Sequence, residues 1–221
     1  MKVHKCRRIS RQKYTLIFRS FVSDISALKT SLIVGVNRKT ADRYFNIFRK
    51  VILLDALRER QSVKFRNGIE VDESYFGPRR VRGKRGRGAG RKIIVFGLLK
   101  RQGKIYTQII KNTQKQEVMP IIKQVVRSGS DIYSDGWRSY DALAVYGYNH
   151  KKVKHQDNEF VRDKDTHING VESYWSWVKR RLNQFNGVTK QQFRRYLLES
   201  EWRFNHKKTL AKDLQKLLKN Y

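Results

Sequence analysis

The sequence predicts an α/β protein, a mixed sheet with flanking helices preceded by a small helical region. Apolar residues recur at three- and four-residue spacing through the first sixty positions. From residue 66 the period shortens, and apolar runs of strand length alternate with helical stretches. A hydrophobic share of 39%, with 12% aromatics, supplies a packed core for 221 residues.

In the N-terminal region Leu16, Ile17, Phe21, Ile25, Leu28, Leu32 and Ile33 follow the helical period. Gly35-Val36-Asn37 breaks it, and Asn37 is placed to cap the next helix, about Arg38–Arg60. That helix carries Ala41, Tyr44, Phe45, Phe48, Val51, Ile52 and Leu54 on its apolar face and Arg38, Lys39, Arg43, Arg49 and Lys50 on its exposed face. Residues 1–62 therefore have a helix-turn-helix-like outline, read either as a DNA-binding region or as a helical bundle with a solvated basic face.

A second domain runs over residues 66–221. Gly68–Asp72 reads as its first strand. In the segment 78–92, eight of fifteen residues are basic and four are glycine, so it cannot be regular structure. It reads as a basic loop that lays Arg79, Arg80, Arg82, Lys84, Arg85 and Arg87 along phosphates. Ile93–Leu99 reads as a buried strand, Lys100–Gly103 as a hairpin turn and Ile105–Ile110 as the returning strand. Glu117–Arg127 has helical spacing, Asp131–Asp135 is a short strand, Trp137–Tyr146 a short helix and His150–His155 a last strand. A long helix starts near Asn169, and the chain to Tyr221 is helical, basic and aromatic. One hairpin and one crossover helix require a mixed sheet with helices on its faces.

Fifty Lys and Arg stand against nineteen Asp and Glu, a formal charge of +31, which calls for a polyanionic partner. The basic residues are spread along the chain and not gathered on one amphipathic helix, which favours nucleic acid over a membrane surface. A single cysteine, Cys6, excludes a disulfide framework and any zinc site with two or more thiolates. The longest apolar runs, Val51–Leu54 and Ile93–Leu99, fall far short of the ~20 residues of a membrane span, and a reduced, cytoplasmic protein is the expectation.

In so basic a protein an acid near a DNA-binding face weakens binding unless a cation sits between them. Three acids stand at element ends: Asp72 closing the first strand, Asp135 closing the fourth and Glu172 in the first turn of the long helix. Helix starts and strand ends also carry acids for capping, so each has a structural reading as well. In an α/β sheet, strand ends and the adjacent helix start surround one crevice, which would set the three side by side. Three hard oxygen ligands suit Mg²⁺ or Mn²⁺, and two such ions serve in-line displacement at phosphorus.

The motifs Val71-Asp72-Glu73-Ser74-Tyr75-Phe76-Gly77, Tyr133-Ser134-Asp135-Gly136-Trp137-Arg138-Ser139-Tyr140 and His167-Ile168-Asn169-Gly170-Val171-Glu172-Ser173-Tyr174-Trp175 resemble the ISXO2-like transposases of the IS1595 group of bacterial insertion sequences. The short form is most similar to the IS1016 subgroup. The resemblance spans roughly residues 66–208 and implies a ribonuclease-H-like DDE domain in a prokaryotic, nucleoid-associated enzyme. It puts the two family aspartates on Asp72 and Asp135 and the third position on Asn169 or Glu172. A carboxylate holds a divalent cation better than an amide, which favours Glu172, with Asn169 as accessory. Lys179, two turns on along the same helical face, is placed to hold a substrate phosphate, and Arg180 and Arg181 beside it to meet DNA. Trp137 is read as a base-stacking residue or as core. Longer family members carry an N-terminal zinc ribbon that one cysteine cannot form.

The expected activity is cutting at terminal inverted repeats and joining of 3′-hydroxyl ends to target double-stranded DNA by a homodimer or higher assembly. The alternatives are a nuclease or resolvase of the same fold, which cuts without joining, and a non-catalytic DNA-binding protein derived from a transposase.

Overall fold

In the computed structural model the described residues are 9–77, 92–135, 143–153, 168–185 and 188–221. The basic loop residues Arg79, Arg80, Arg82, Lys84, Arg85 and Arg87 lie outside them, as does Trp137. The chain divides into two compact units, one made of the chain through Gln61 with Leu198–Tyr221, the other of Ser62–Leu197.

Serine caps start the first two helices of the first unit, α1 (Arg11–Val22) and α2 (Ala27–Val34). Ser10 and Ser26 Oγ accept the Lys13 and Lys29 N–H groups, each at 3.3 Å. Asp24, at φ 58°, breaks what reads in the sequence as one periodic run. In consequence Ile17 and Phe21 are buried, whereas Leu32 is 76% and Ile33 62% exposed. Gly35, at φ 64°, ends α2 in the left-handed conformation that suits a residue without Cβ. Asn37 then caps α3 (Arg38–Ser62), its Oδ1 accepting the Lys39 N–H at 2.8 Å, as expected. Ala41, Phe45, Phe48 and Ile52 face the core; Leu54, expected there, is 53% exposed, because the helical phase turns Ala56 inward instead.

The core of this unit is aromatic. Phe21 meets Phe45 and Phe48 edge to face, with ring centroids 5.0 and 5.2 Å apart. The sequence reading continues the second domain to Tyr221, but the end of the chain packs with α1 and α3. It comprises the second half of α6 (Lys190–Asn205) and all of α7 (Leu210–Asn220). The reason is a set of buried polar pairs. Glu201 receives Arg60 on both oxygens at 3.0 Å, Trp202 Nε1 donates to Asp55 at 3.0 Å, and Arg203 Nε donates to Glu199 at 2.9 Å. Arg203 also donates to the Phe21 and Val22 carbonyls at the end of α1.

His206 stacks on Trp202 and lies 3.3 Å from Glu59 and 2.7 Å from Asp213. Burial alone would lower its pKa, but hydrogen bonding and charge from Glu59 and Asp213 outweigh it and raise the value. A raised histidine pKa contributes stability that is complete below the unfolded value, about 6.5, and is lost as pH rises through the folded value. His206→Gln is expected to lower the thermal midpoint by about 2–4 °C at pH 6 and by less at pH 9. Thermal unfolding of both proteins at the two pH values checks this, and an equal loss at both contradicts it.

The second unit holds a five-stranded sheet in the order β3-β2-β1-β4-β5. The strands are β1 (Ile69–Phe76), β2 (Ile93–Lys100), β3 (Ile105–Ile110), β4 (Asp131–Asp135) and β5 (Asn149–Val153). β2 runs antiparallel to β1 and β3, while β4 is parallel to β1 and β5. α4 (Lys115–Val125) is the crossover to β4, and its Val118, Ile122 and Val125 pack with Val71, Leu98 and Ile132 in one core. α5 (Asn169–Leu182) contacts β1 and β2. This arrangement is a ribonuclease-H-like mixed sheet with flanking helices, the class the sequence predicts. Among the described residues no helix is long and apolar enough to cross a membrane.

Candidate active site

Side chains alternate along β1, so Val71 enters the α4 core while Glu70, Asp72, Ser74 and Phe76 face the other side. β1 and β4 pair in parallel at Ile69–Ile132 and Glu70–Tyr133. The same register carried along both strands sets Asp72 level with Asp135, on the same face. The pairing itself ends at Glu70–Tyr133, and beyond it the charge of Asp135 reaches the Asp72 carboxyl.

α5 covers that face through close backbone approach. Gly97, the β2 partner of Asp72, lies under the Trp175 indole, and a Cβ there would stand 2.5 Å from Cζ2. Trp175 also meets Phe76 edge to face at 6.0 Å. This contact brings the first turn of α5, with Glu172, over the sheet.

Although the three acids do not close to within 4.8 Å of one another, the electrostatics of Asp72 place Asp135 and Glu172 within reach of its carboxyl. Its pKa is raised to about 6, first by burial and then by the negative charges of Asp135 and Glu172. The Glu73 backbone N–H opposes the rise, and so, more weakly, does the Trp175 indole, whose buried N–H faces the carboxylate outside the geometry of a formed hydrogen bond. In a chain of net charge +31, this is a concentration of negative charge made only of oxygen donors. Such a set fits a hard divalent cation, with no sulfur or imidazole in it to favour a softer one.

The other expected site residues fall as follows. Asn169 is the exposed first residue of α5. Lys179 is exposed, with Nζ 5.8 Å from the ring of Phe76, which shares a face of β1 with Asp72. Arg180 is exposed, but Arg181 is only 5% exposed and sits over the Phe185 ring at 5.7 Å. Arg181 falls one turn after the buried Val178, on the inward face of α5, and so is not available on the surface. In the first unit Arg38 is exposed and pairs with Asp42 at 3.6 Å, and Lys39 and Arg43 are exposed on α3. Asn46, not singled out in the sequence, joins Lys39, Arg43 and Lys50 of the expected basic face in one helical stripe beside a cleft that Tyr221 also lines.

Sequence reasoning also passed over Glu70, which is 2% exposed and pairs with Arg101. The signal was a helix start without a capping residue, since Ile168 cannot accept a hydrogen bond through its side chain. Asp55, Glu59 and His206 also bring ligand-type atoms within 4.8 Å of one another, in the first unit; the bonds to Trp202 and Asp213 account for that grouping.

A sheet in this order, with Asp72 in the middle of β1, Asp135 at the end of β4 and Glu172 in the first turn of the helix that covers the sheet, is of the ribonuclease-H-like class; the strand expected to close at Asp72 runs on to Phe76, where it still pairs with β2. Residues 64–205 match the ISXO2-like transposase domain, and the chain belongs to that family. An uncharacterized transposase-like protein of Haemophilus influenzae is 39% identical over 103 residues, 47% of this chain and 82% of that one. Among solved structures, a chain of the simian T-cell lymphotropic virus intasome in complex with a PP2A regulatory subunit is 10% identical, with a TM-score of 0.42 over 86% of this chain and 68% of that one. The catalytic domain of Mos1 mariner transposase is 14% identical, with a TM-score of 0.30 over 78% of this chain and 91% of that one.

Proposed function

We propose that this DDE transposase cuts at the terminal inverted repeats of an insertion sequence and joins the freed 3′-hydroxyls to target DNA. The reading is supported above all by the placing of the buried Asp72 carboxyl on the sheet face covered by α5, where the charges of Asp135 and Glu172 reach it. These three would hold Mg²⁺ or Mn²⁺, as two ions, with Asn169 accessory. When bound, the ions supply activation of the attacking oxygen and stabilisation of the leaving one.

The chain's own residues do the rest. Lys179 and Arg180, exposed on the last turns of α5, hold DNA phosphates near the carboxylates. Burial of Asp72 beneath Trp175 keeps water from its inner side, which strengthens its pull on a cation. Lys39, Arg43, Asn46 and Lys50 present a basic and amide stripe of the kind that enters a DNA groove, and the first unit serves as the DNA-binding region. Two ends must be cut in concert, so the working form is a dimer or larger assembly on double-stranded DNA.

The test is Mn²⁺-dependent nicking and joining of a plasmid carrying the gene's own flanking repeats. Wild type is expected to cut and join, whereas Asp135→Asn and Glu172→Gln bind the DNA and do neither. Loss in Asn169→Ala with Glu172→Gln active moves the third ligand to Asn169. Cutting without joining selects the nuclease, and binding without any cutting selects the non-catalytic DNA-binding protein.

A further inference from the structure

The first N–H groups of a helix have no partner within the helix, and a capping side chain commonly supplies one. α5 has none of its own, because Ile168 stands at the N-cap. The partner comes from β1. Glu70 Oε2 accepts the Val171 N–H at 2.9 Å, and Glu70 Oε1 accepts from Arg101 Nε at 3.2 Å. The Glu70 side chain is 2% exposed, and the Arg101 guanidinium in turn lies 3.6 Å from the centre of the Tyr133 ring.

Gly170 makes this contact possible. A Cβ at that position would stand 2.7 Å from Glu70 Oε2 and 2.7 Å from Leu99 Cδ2, so the helix start lies directly against the sheet. Glu70 is two residues before Asp72 on the same face of β1, and Val171 immediately precedes Glu172. One buried carboxylate therefore ties the peptide next to Glu172 to the strand that carries Asp72. Its negative charge also suits the positive end of the helix dipole.

We propose that Glu70 is a positioning residue: a tertiary cap for α5 that sets Glu172 against Asp72 and Asp135 for cation binding. Both its oxygens are engaged in the fold, so it acts through Glu172 and not as a ligand. The proposal rests on the reading of Glu172 as the third ligand.

The experiment titrates Mn²⁺ into the full-length protein and reads free Mn²⁺ by its paramagnetic resonance signal, with thermal unfolding as the check on folding. Glu70→Asp keeps the charge but is one methylene too short to reach Val171, and is expected to weaken Mn²⁺ binding about tenfold, in the range of lost second-layer contacts. Glu70→Gln, whose amide oxygen still accepts the Val171 N–H, is expected to stay within about threefold of wild type. Gly170→Ala, which wedges the helix off the carboxylate, is expected to weaken binding as Glu70→Asp does and replaces it if Glu70→Asp does not fold. Unchanged affinity in the folded Glu70→Asp or Gly170→Ala protein overturns the proposal, as does a Glu70→Gln protein as weak as Glu70→Asp. Glu172→Gln separates the two levels. If it binds Mn²⁺ like wild type, the ligand reading fails and takes the proposal with it. If it loses binding while Glu70→Asp does not, only the proposal fails.

Discussion

Asp72→Asn is expected to abolish Mn²⁺-dependent nicking, by a factor of about a thousand or more, while making the metal-free protein more stable at pH 7.5. The loss of activity follows from the proposed role of Asp72 as a metal ligand, which would support several kcal/mol of charge stabilisation during phosphoryl transfer, each ~1.4 kcal/mol being about tenfold in rate. The gain in stability has the opposite origin. Burial, with Asp135 and Glu172 adding to it, raises the folded carboxyl to about 6. Between the ordinary carboxyl value and pH 6 the native state therefore binds more protons than the unfolded one, and stability falls as pH rises. Above pH 6 the full cost is present, about 2–3 kcal/mol, since each tenfold change in proton affinity is worth ~1.4 kcal/mol. Asn removes it, so the variant should unfold later than wild type at pH 7.5 and at nearly the same temperature at pH 4. Saturating Mn²⁺ should reverse the order at pH 7.5, because only wild type retains the full ligand set. An Asp72→Asn protein less stable than wild type at pH 7.5 without metal would contradict the crowding of negative charge at this site.

The second large effect lies in the first unit. Arg203 is 4% exposed, donates to the Phe21 carbonyl at 2.8 Å and to Glu199 at 2.9 Å, and lies over the Phe21 ring at 4.5 Å. Glu199 is itself 2% exposed and also receives Arg49 at 3.0 Å. Removing one member of a buried charged pair leaves the other without its full compensation, at a cost of about 3–5 kcal/mol. Arg203→Leu is therefore expected to lower the thermal midpoint by on the order of ten degrees. Arg203→Lys should rescue little, since one ammonium cannot serve two helix-end carbonyls and a carboxylate at once. Thermal unfolding decides it, and a loss below about 1 kcal/mol would show the pair to be worth no more than a surface ion pair.

Much of the fold was legible along the chain. The helix over residues 38–62 and its Asn37 cap, the strands 93–100, 105–110 and 131–135, and the crossover helix were readable because periodicity and capping are local. Asp135 and Glu172 stood out as scarce carboxylates at element ends in a basic chain, whereas Asp72, read as closing the first strand, lies in its middle because pairing with β2 carries the strand on to Phe76. What escaped was long-range. The periodic run from Leu16 to Ile33 gave no warning that Asp24 would turn the chain and leave Leu32 in solvent. Arg181 looked like one more surface cation, because nothing in a basic helix says which arginine the helical phase turns inward.

The sequence by itself determined the order of elements, the excess of positive charge, the family motifs and the identity of the acids that form the candidate site. Tertiary structure decided three things. It returned residues 198–221 to the first unit through Glu199, Glu201, Trp202 and Arg203. It brought Asp135 and Glu172 close enough to perturb Asp72, and it made Glu70 the cap of a helix far along the chain. The reason is that propensity and period act within a few residues, whereas register between β1 and β4, burial and the pairing of charges arise only when distant segments pack.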